Sequence, residues 1–246
     1  MLDVSLTDGI GFLRLDRPEA RNALSRELCE RLQDQLSAWA EDDEVRAVVV
    51  SGAGGKAFAA GSDIAELKQR THRDSFIAVT QRTLQQLEDF PRPTIAAIDG
   101  YALGGGLELA LACDLRVASR SAKVGMPEVT LGVFPSAGGT TRLPRLVGLG
   151  RAKELIFTGR IVEADEALAL GLFESLVDTN AVAEATRLAK SIAANAPLAV
   201  QVAKVSLNAA ARGSAGAPLE WLGQGLLFDS PEKHERMQAF LDKRRK

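Results

Sequence analysis

The amino-acid sequence predicts an α/β fold that ends in an all-helical C-terminal subdomain. Three observations carry the prediction. Short apolar runs alternate with helix-period patterns as far as Asp178. Beyond Asn180 every pattern is helical. The chain has 246 residues, 46% hydrophobic and 25% charged, which suits one large domain with a smaller appendage. A core of that size needs neither disulfide nor metal to hold it.

Taken in order, residues 4–15 (VSLTDGIGFLRL) alternate apolar and polar around Asp8-Gly9 and read as a hairpin. Residues 25–42 form an amphipathic helix with Leu28, Leu32, Leu36 and Trp39 on one face and Ser25 as its cap. VRAVVVSG, residues 45–52, is a strand buried on both faces. Asp74 to Phe90 reads as one helix, stopped by Pro91 and Pro93. TIAAIDG (94–100) and LRVAS (115–119) are strands, and a helix starts between them in Gly104–Gly106. After Ala137 the pattern is mostly helical, with a helix over EADEALALG ended by Gly171 and a strand over LFESLVD, 172–178. Breaks near Pro197, Gly213–Gly216 and Pro231 divide the tail.

Composition excludes several function classes. A formal net charge of −2 argues against a general nucleic-acid binder. Cys29 and Cys113 lie in apolar helical patterns and form no C-x-x-C pair, so they read as inert core thiols. The start MLDVSLTDG has no basic region followed by an apolar one, and no apolar run approaches the ~18 residues of a membrane span. A soluble, cytoplasmic protein is the expectation. GAGGKA, Gly52 to Ala57, matches a dinucleotide fingerprint but is followed by FAAG and not by a helix, and no acid closes a second strand. Gly55-Lys56 is followed by Ala57, which rules out a P-loop. His72 and His234, the only histidines, sit in charged helical surroundings and read as solvated, which leaves no base for a serine or cysteine nucleophile.

Two loops and two acids remain. DGYALGGGLELA leaves a strand at Asp99-Gly100 and enters a helix through Gly104, Gly105 and Gly106. The first N–H groups of a helix lack intrahelical partners, and glycine leaves them uncovered. They are placed to donate to a developing oxyanion, although close backbone packing would also call for glycine there. KAFAAGSDI (56–64) puts Ala59, Ala60 and Gly61 in a loop before a helix opened by Ser62-Asp63. That loop reads either as a plain N-cap or as a second oxyanion donor at Ala60. Glu108 stands in an otherwise apolar run one turn into the glycine-started helix, as an ion-pair partner of Arg116 or Arg142 or as an acid facing the glycine N–H groups. Glu128 follows 20 residues later at a Pro-initiated turn or helix start, where a helix dipole would stabilise an acid.

These segments, in order and spacing, resemble the crotonase (enoyl-CoA hydratase/isomerase) superfamily. The resemblance also takes in GMPEVTLGVFPSAGGTTRLPRLVG (125–148), RPEARNALS (17–25) and TGRIVEADEALALGLFESLV (158–177), nearly the whole chain. It implies a superhelix of ββα units over residues 1–190 and a helical trimerisation region over 191–246. It implies an acyl-CoA thioester held by the N–H groups of Ala60 and Gly105. Glu108 would then activate water and Glu128 protonate the α-carbon, giving an enoyl-CoA hydratase of fatty-acid β-oxidation. Ala20, Ala59, Ala60, Gly61, Ser62, Asp63, Ile64, Gly105, Leu131 and Ser136 are the implied substrate contacts. Lys243 would reach the CoA phosphates of a neighbouring subunit in a homotrimer or homohexamer. No metal and no separate cofactor are implied. Ser136 replaces the glycine common in hydratases of the family, and Glu19 stands where a basic or neutral residue is frequent. Leu67, Met126 and Leu131 are candidates for the acyl pocket, whose depth the 74–90 helix would set. The rival readings are a double-bond isomerase, an acyl-CoA lyase, an RNA-binding relative or a catalytically silent one.

Overall fold

The computed structural model describes residues 1–214 and 217–244. β1 (Leu2–Thr7) and β2 (Ile10–Leu15) form the expected hairpin, with Asp8 and Gly9 both at positive φ. That pair of left-handed residues is what a two-residue turn between twisted strands requires. β2 then pairs in parallel with β3 (Ala47–Gly52), which begins a parallel run through β5 (Thr94–Ile98), β7 (Leu115–Ser119) and β10 (Ser175–Val177). The order of this six-stranded sheet is β1-β2-β3-β5-β7-β10.

A second sheet, absent from the sequence-based expectation, consists of three-residue strands. They are β4 (Ala57–Ala59), β6 (Tyr101–Leu103), β8 (Lys123–Gly125) and β9 (Ile161–Glu163), in that order. Three residues are too few for periodicity to register. Ala59 is therefore in a strand and not in the loop expected of it. Each long strand thus hands the chain to a short one and then to a helix. The pattern occurs at β3–β4–α2 (α2, Ile64–Gln69) and at β5–β6–α5 (α5, Gly105–Ala112). It occurs again at β7–β8–α6 (α6, Gly139–Val147), with a 3-10 turn at Pro127–Leu131 interposed. This is the ββα superhelix that the resemblance implied. Gly100 allows the step from β5 to β6, because a Cβ there would lie 2.2 Å from the Lys56 carbonyl oxygen.

Both faces of the large sheet are covered. Val48, Val50, Ala96, Ile98 and Ala118 face the main core with α1 (Arg26–Ala40), which buries Leu28, Cys29, Leu32, Leu36 and Trp39. Their neighbours Ala47, Val49, Ile95, Ala97 and Val117 face Ala181, Ala185 and Ala189 of α9 (Ala181–Ala193). The period-2 strands and the four-residue alanine spacing on α9 make these two surfaces fit. The first helix beyond Asn180 is thus a layer of the α/β core. α7 (Leu149–Thr158) and α8 (Ala164–Ala169) follow α6, and Gly171 ends the latter at φ 82°. The strand expected over 172–178 is confined to Ser175–Val177; the Leu172 N–H is still taken by the Ala167 carbonyl at the end of α8 (2.9 Å). α10 (Pro197–Ala211), α11 (Ala217–Phe228) and α12 (Pro231–Arg244) complete the tail. The break expected at Gly213–Gly216 falls at Gly213, φ 72°, and residues 215 and 216 lie outside the described residues.

One helix is corrected. The segment expected as a single helix over 74–90 is α3 (His72–Ile77) followed by α4 (Val79–Asp89), broken at Ala78 with φ 52°. Thr71 starts α3, its N–H and hydroxyl both donating to the Asp74 carboxylate at 2.8 and 3.0 Å. α4 packs on α1 through Thr83, Leu84 and Leu87. Alanine is a strong helix former, so nothing local marks the break. Cys29 and Cys113 are buried as expected, and burial pushes the Cys113 thiol up to about 12.

Candidate active site

A cavity of about 630 Å³ opens between the loop after β4, the start of α5, the α3–α4 break and the 127–137 segment. Its polar floor comes from the two glycine-rich loops. Leu24 bridges the first loop, taking the Asp63 N–H on its carbonyl (3.0 Å) and donating its own N–H to Gly61 (2.8 Å). The Ala60 N–H donates to the Arg21 carbonyl at 3.0 Å. Ala60 therefore lines the cavity but is not the oxyanion donor that the resemblance placed there. The N–H groups of Gly61 and Ser62 donate to no protein oxygen among the described residues, and that of Ser62 is the one beside Gly105. The loop commits the N–H groups of Ala60 and Asp63 to neighbouring backbone and leaves these two over.

Gly104, at φ 50°, turns the chain out of β6 while its N–H donates to Gly125 at 2.9 Å. α5 then begins at Gly105, whose N–H lies at the positive end of the helix without an intrahelical partner. A Cβ on Gly105 would lie 3.3 Å from the Ser62 nitrogen and 3.2 Å from its Oγ, so the two free N–H groups are neighbours. The packing explanation for the glycines holds one position later. A Cβ on Gly106 would sit 1.9 Å from the Ala59 carbonyl oxygen, because α5 lies directly against β4.

Glu108 is 4% exposed and is not an ion-pair partner. Arg116 pairs with Glu174, and Arg142 pairs with Glu88 at 2.7 Å. The Glu108 Oε1 instead accepts the N–H groups of Ala137 (2.7 Å) and Gly139 (2.9 Å). Burial raises its pKa, against those two bonds and the nearby Arg142 charge. Glu128 sits in the 3-10 turn Pro127–Leu131, and a Cβ on Gly104 would be 3.0 Å from its Oε1. Its Oε2 is buried and has no hydrogen-bond partner among the described residues. Burial pushes Glu128 up to about 7, and the negative charge of Glu108 adds to the rise. A glutamate stabilised by a helix dipole would move the other way. Both acids, both free N–H groups and Glu128's unpartnered oxygen thus share one cavity. The arrangement has two donors for a developing oxyanion and two coupled acids for moving protons.

Of the other expected contacts, Gly61, Ile64, Leu131 and Ser136 line the cavity, as does Leu67. The Ser136 Oγ accepts from Gln81 Nε2 at 3.3 Å. Ala59 is fully buried in β4, and Met126 is fully buried too, so neither reaches the cavity. Asp63 caps α2 through the N–H groups of Ala65 and Glu66 and pairs with Arg17 at 3.2 Å. Ala20 ends a 3-10 turn away from the lining, and Lys243 is exposed on α12, also away from it. The sequence carried no signal for Thr80 and Gln81 in the wall, while His72 is exposed as expected and stands at the cavity rim.

The enoyl-CoA hydratase/isomerase family model matches residues 5–246. The enoyl-CoA isomerase/hydratase fer4 of Mycosarcoma maydis is 40% identical, the match covering 96% of this chain and 91% of that protein. The short-chain-enoyl-CoA hydratase of Clostridium acetobutylicum is 38% identical, covering 96% and 92%. Among solved structures, an enoyl-CoA hydratase from Bacillus anthracis superposes with a TM-score of 0.94 at 39% identity, over 98% of this chain and 96% of that one.

Proposed function

Because the chain belongs to the enoyl-CoA hydratase/isomerase family, we propose that it is an enoyl-CoA hydratase, adding water reversibly and syn to a trans-2-enoyl-CoA to give the 3-hydroxyacyl-CoA. The observation that carries this reading is that two acids with raised pKa face one cavity beside two free N–H groups. The thioester carbonyl oxygen accepts from Ser62 and Gly105, and negative charge grows on it as water attacks the β-carbon. One such aimed donor is typically worth ~10²–10³ in rate. Glu108, its Oε1 fixed by Ala137 and Gly139, holds the water and takes its proton. Glu128 delivers a proton to the α-carbon. With a pKa of about 7 it carries that proton in a large fraction of molecules at neutral pH. The roles exchange in the reverse reaction. Coenzyme A enters as part of the substrate, and the chemistry needs no separate cofactor.

An isomerase of the same family would shuttle a proton through one acid, so the variants Glu108→Gln and Glu128→Gln separate the readings. Loss of enoyl-thioester absorbance is followed with crotonyl-CoA and longer enoyl-CoAs, beside conversion of 3-enoyl-CoA. Hydration is expected to fall ~10²–10⁴ in each single variant and scarcely further in the double one, because the acids act as a unit. Near wild-type hydration by Glu108→Gln would overturn the hydratase reading. We propose also that residues 191–246 assemble the chain as a homotrimer or homohexamer in the cytoplasm, with Lys243 reaching a neighbour's CoA. Trp221, Leu222 and Leu226 of α11 and Phe240 of α12 are all more than half exposed in the single chain, which supports this reading.

A further inference from the structure

The turn that grips Glu108 is itself gripped from behind. Ala137 donates its N–H to the Glu108 carboxylate, and its carbonyl accepts Arg142 Nη1 at 2.9 Å. Arg142 is 6% exposed. It is fixed in turn by Glu88 of α4, whose Oε2 accepts Nε at 3.1 Å and Nη2 at 2.7 Å. Gly138, at φ 111°, completes the fit, because a Cβ there would lie 1.8 Å from Arg142 Nη1. The peptide whose carbonyl Arg142 holds, 137–138, therefore lies between the two peptides whose N–H groups reach the Glu108 carboxylate.

We propose that Arg142, anchored by Glu88, is the positioning residue for Glu108: it holds the 137–139 turn in the orientation that presents two N–H groups to that carboxylate. The inference rests on the reading of Glu108 as the group that holds the reacting water. Stability alone does not account for the pair, since a buried ion pair of this kind is often replaceable by apolar residues at no loss. Geometry does, because the guanidinium bonds the peptide that joins the two whose N–H groups reach the acid. The charges arrayed around Glu108 are Arg142 from α6 and Glu128 from the 3-10 turn. Glu88 from α4 faces Arg142 and also takes Arg145 (3.5 Å) and Arg212, just after α10 (3.3 Å). The Arg142 charge opposes the rise that burial imposes on Glu108.

Arg142→Gln, Arg142→Lys and Glu88→Gln are compared for thermal midpoint, kcat and KM with crotonyl-CoA. The Glu108 carboxyl is titrated by 13C NMR in the ligand-free protein and assigned by its loss in Glu108→Gln. In Arg142→Gln, the Glu108 titration and the acid limb of kcat are expected to move to higher pH. In Glu88→Gln, kcat is expected to fall about tenfold with KM within about twofold, since a small misplacement of a reacting group costs rate and not binding. Arg142→Lys is expected to restore the titration but not the full kcat. If Arg142→Gln does not fold, Glu88→Gln and Arg142→Lys decide. Folded variants with kcat within about twofold and an unmoved Glu108 titration would overturn the proposal. The titration reads the resting protein, so a moved titration in a chain that hydrates no enoyl-CoA would keep Arg142 as a positioning residue and remove only the hydratase reading.

Discussion

A glutamate in an apolar helix is expensive unless its surroundings take up the charge. Glu108 is met by two backbone donors, whereas Glu128 has an oxygen with no partner among the described residues. The stability cost therefore sits mainly on Glu128. Its folded pKa of about 7 lies above the ordinary 4.5. A raised carboxyl favours folding only while protonated, so the contribution of this group to stability is full below pH 4.5 and is lost as pH rises through 7. Glu128→Gln removes the penalty. It is expected to be more stable than the wild type by about 1–2 kcal/mol at pH 8, allowing for partial exposure, with the gap closing below pH 4.5. Denaturant melts at the two pH values check this. Equal gaps at both would mean that Glu128 ionises normally in the folded chain.

At the level of the element, α5 carries two glycines with different duties. Gly105 contributes an N–H to the cavity, and Gly106 contributes the absence of a side chain against β4. Gly105 is the first residue of the helix, where proline is tolerated and its missing N–H breaks no helical bond. Gly105→Pro is therefore expected to fold, with stability within about 2 kcal/mol of the wild type, and to lose at least ~10² in turnover. Gly106→Ala drives a methyl into the Ala59 carbonyl and is expected to lose stability first. Turnover and thermal midpoint measured on both variants separate the two duties. Near-normal turnover in folded Gly105→Pro would remove that N–H from the oxyanion site.

Across the whole molecule, the tail divides into two parts. α9 is sealed onto the large sheet by its alanine stripe, while α11 leaves Trp221 and Leu222 each 71% exposed. An apolar surface of that kind in one chain calls for a partner surface, and symmetry makes a second copy the economical source. Leu222→Glu is expected to weaken assembly, giving a smaller species in sedimentation velocity while far-UV circular dichroism stays close to that of the wild type. A wild-type protein that sediments as a monomer at every concentration would defeat the assembly reading.

The sequence by itself determined the long strands, the amphipathic α1 with its Ser25 cap, the Asp8-Gly9 hairpin and the glycine-started helix carrying Glu108. Each of these is written in local periodicity or in turn residues that few others replace. It also placed Glu128 at a proline-started turn and, through the resemblance, joined the two acids. Tertiary structure alone decided the rest. The second sheet has strands of three residues, too short to signal themselves, and forms because each long strand delivers the next segment beside its neighbour. The break at Ala78 has no local mark, because alanine is itself a strong helix former and yet takes a left-handed backbone there. That the Ala60 N–H is taken while the Ser62 N–H is left over followed from a single hydrogen bond from Ala60 to Arg21, a residue 39 positions earlier in the chain. Which N–H is free depends on what the rest of the backbone has already taken, and that is a property of contacts distant in sequence.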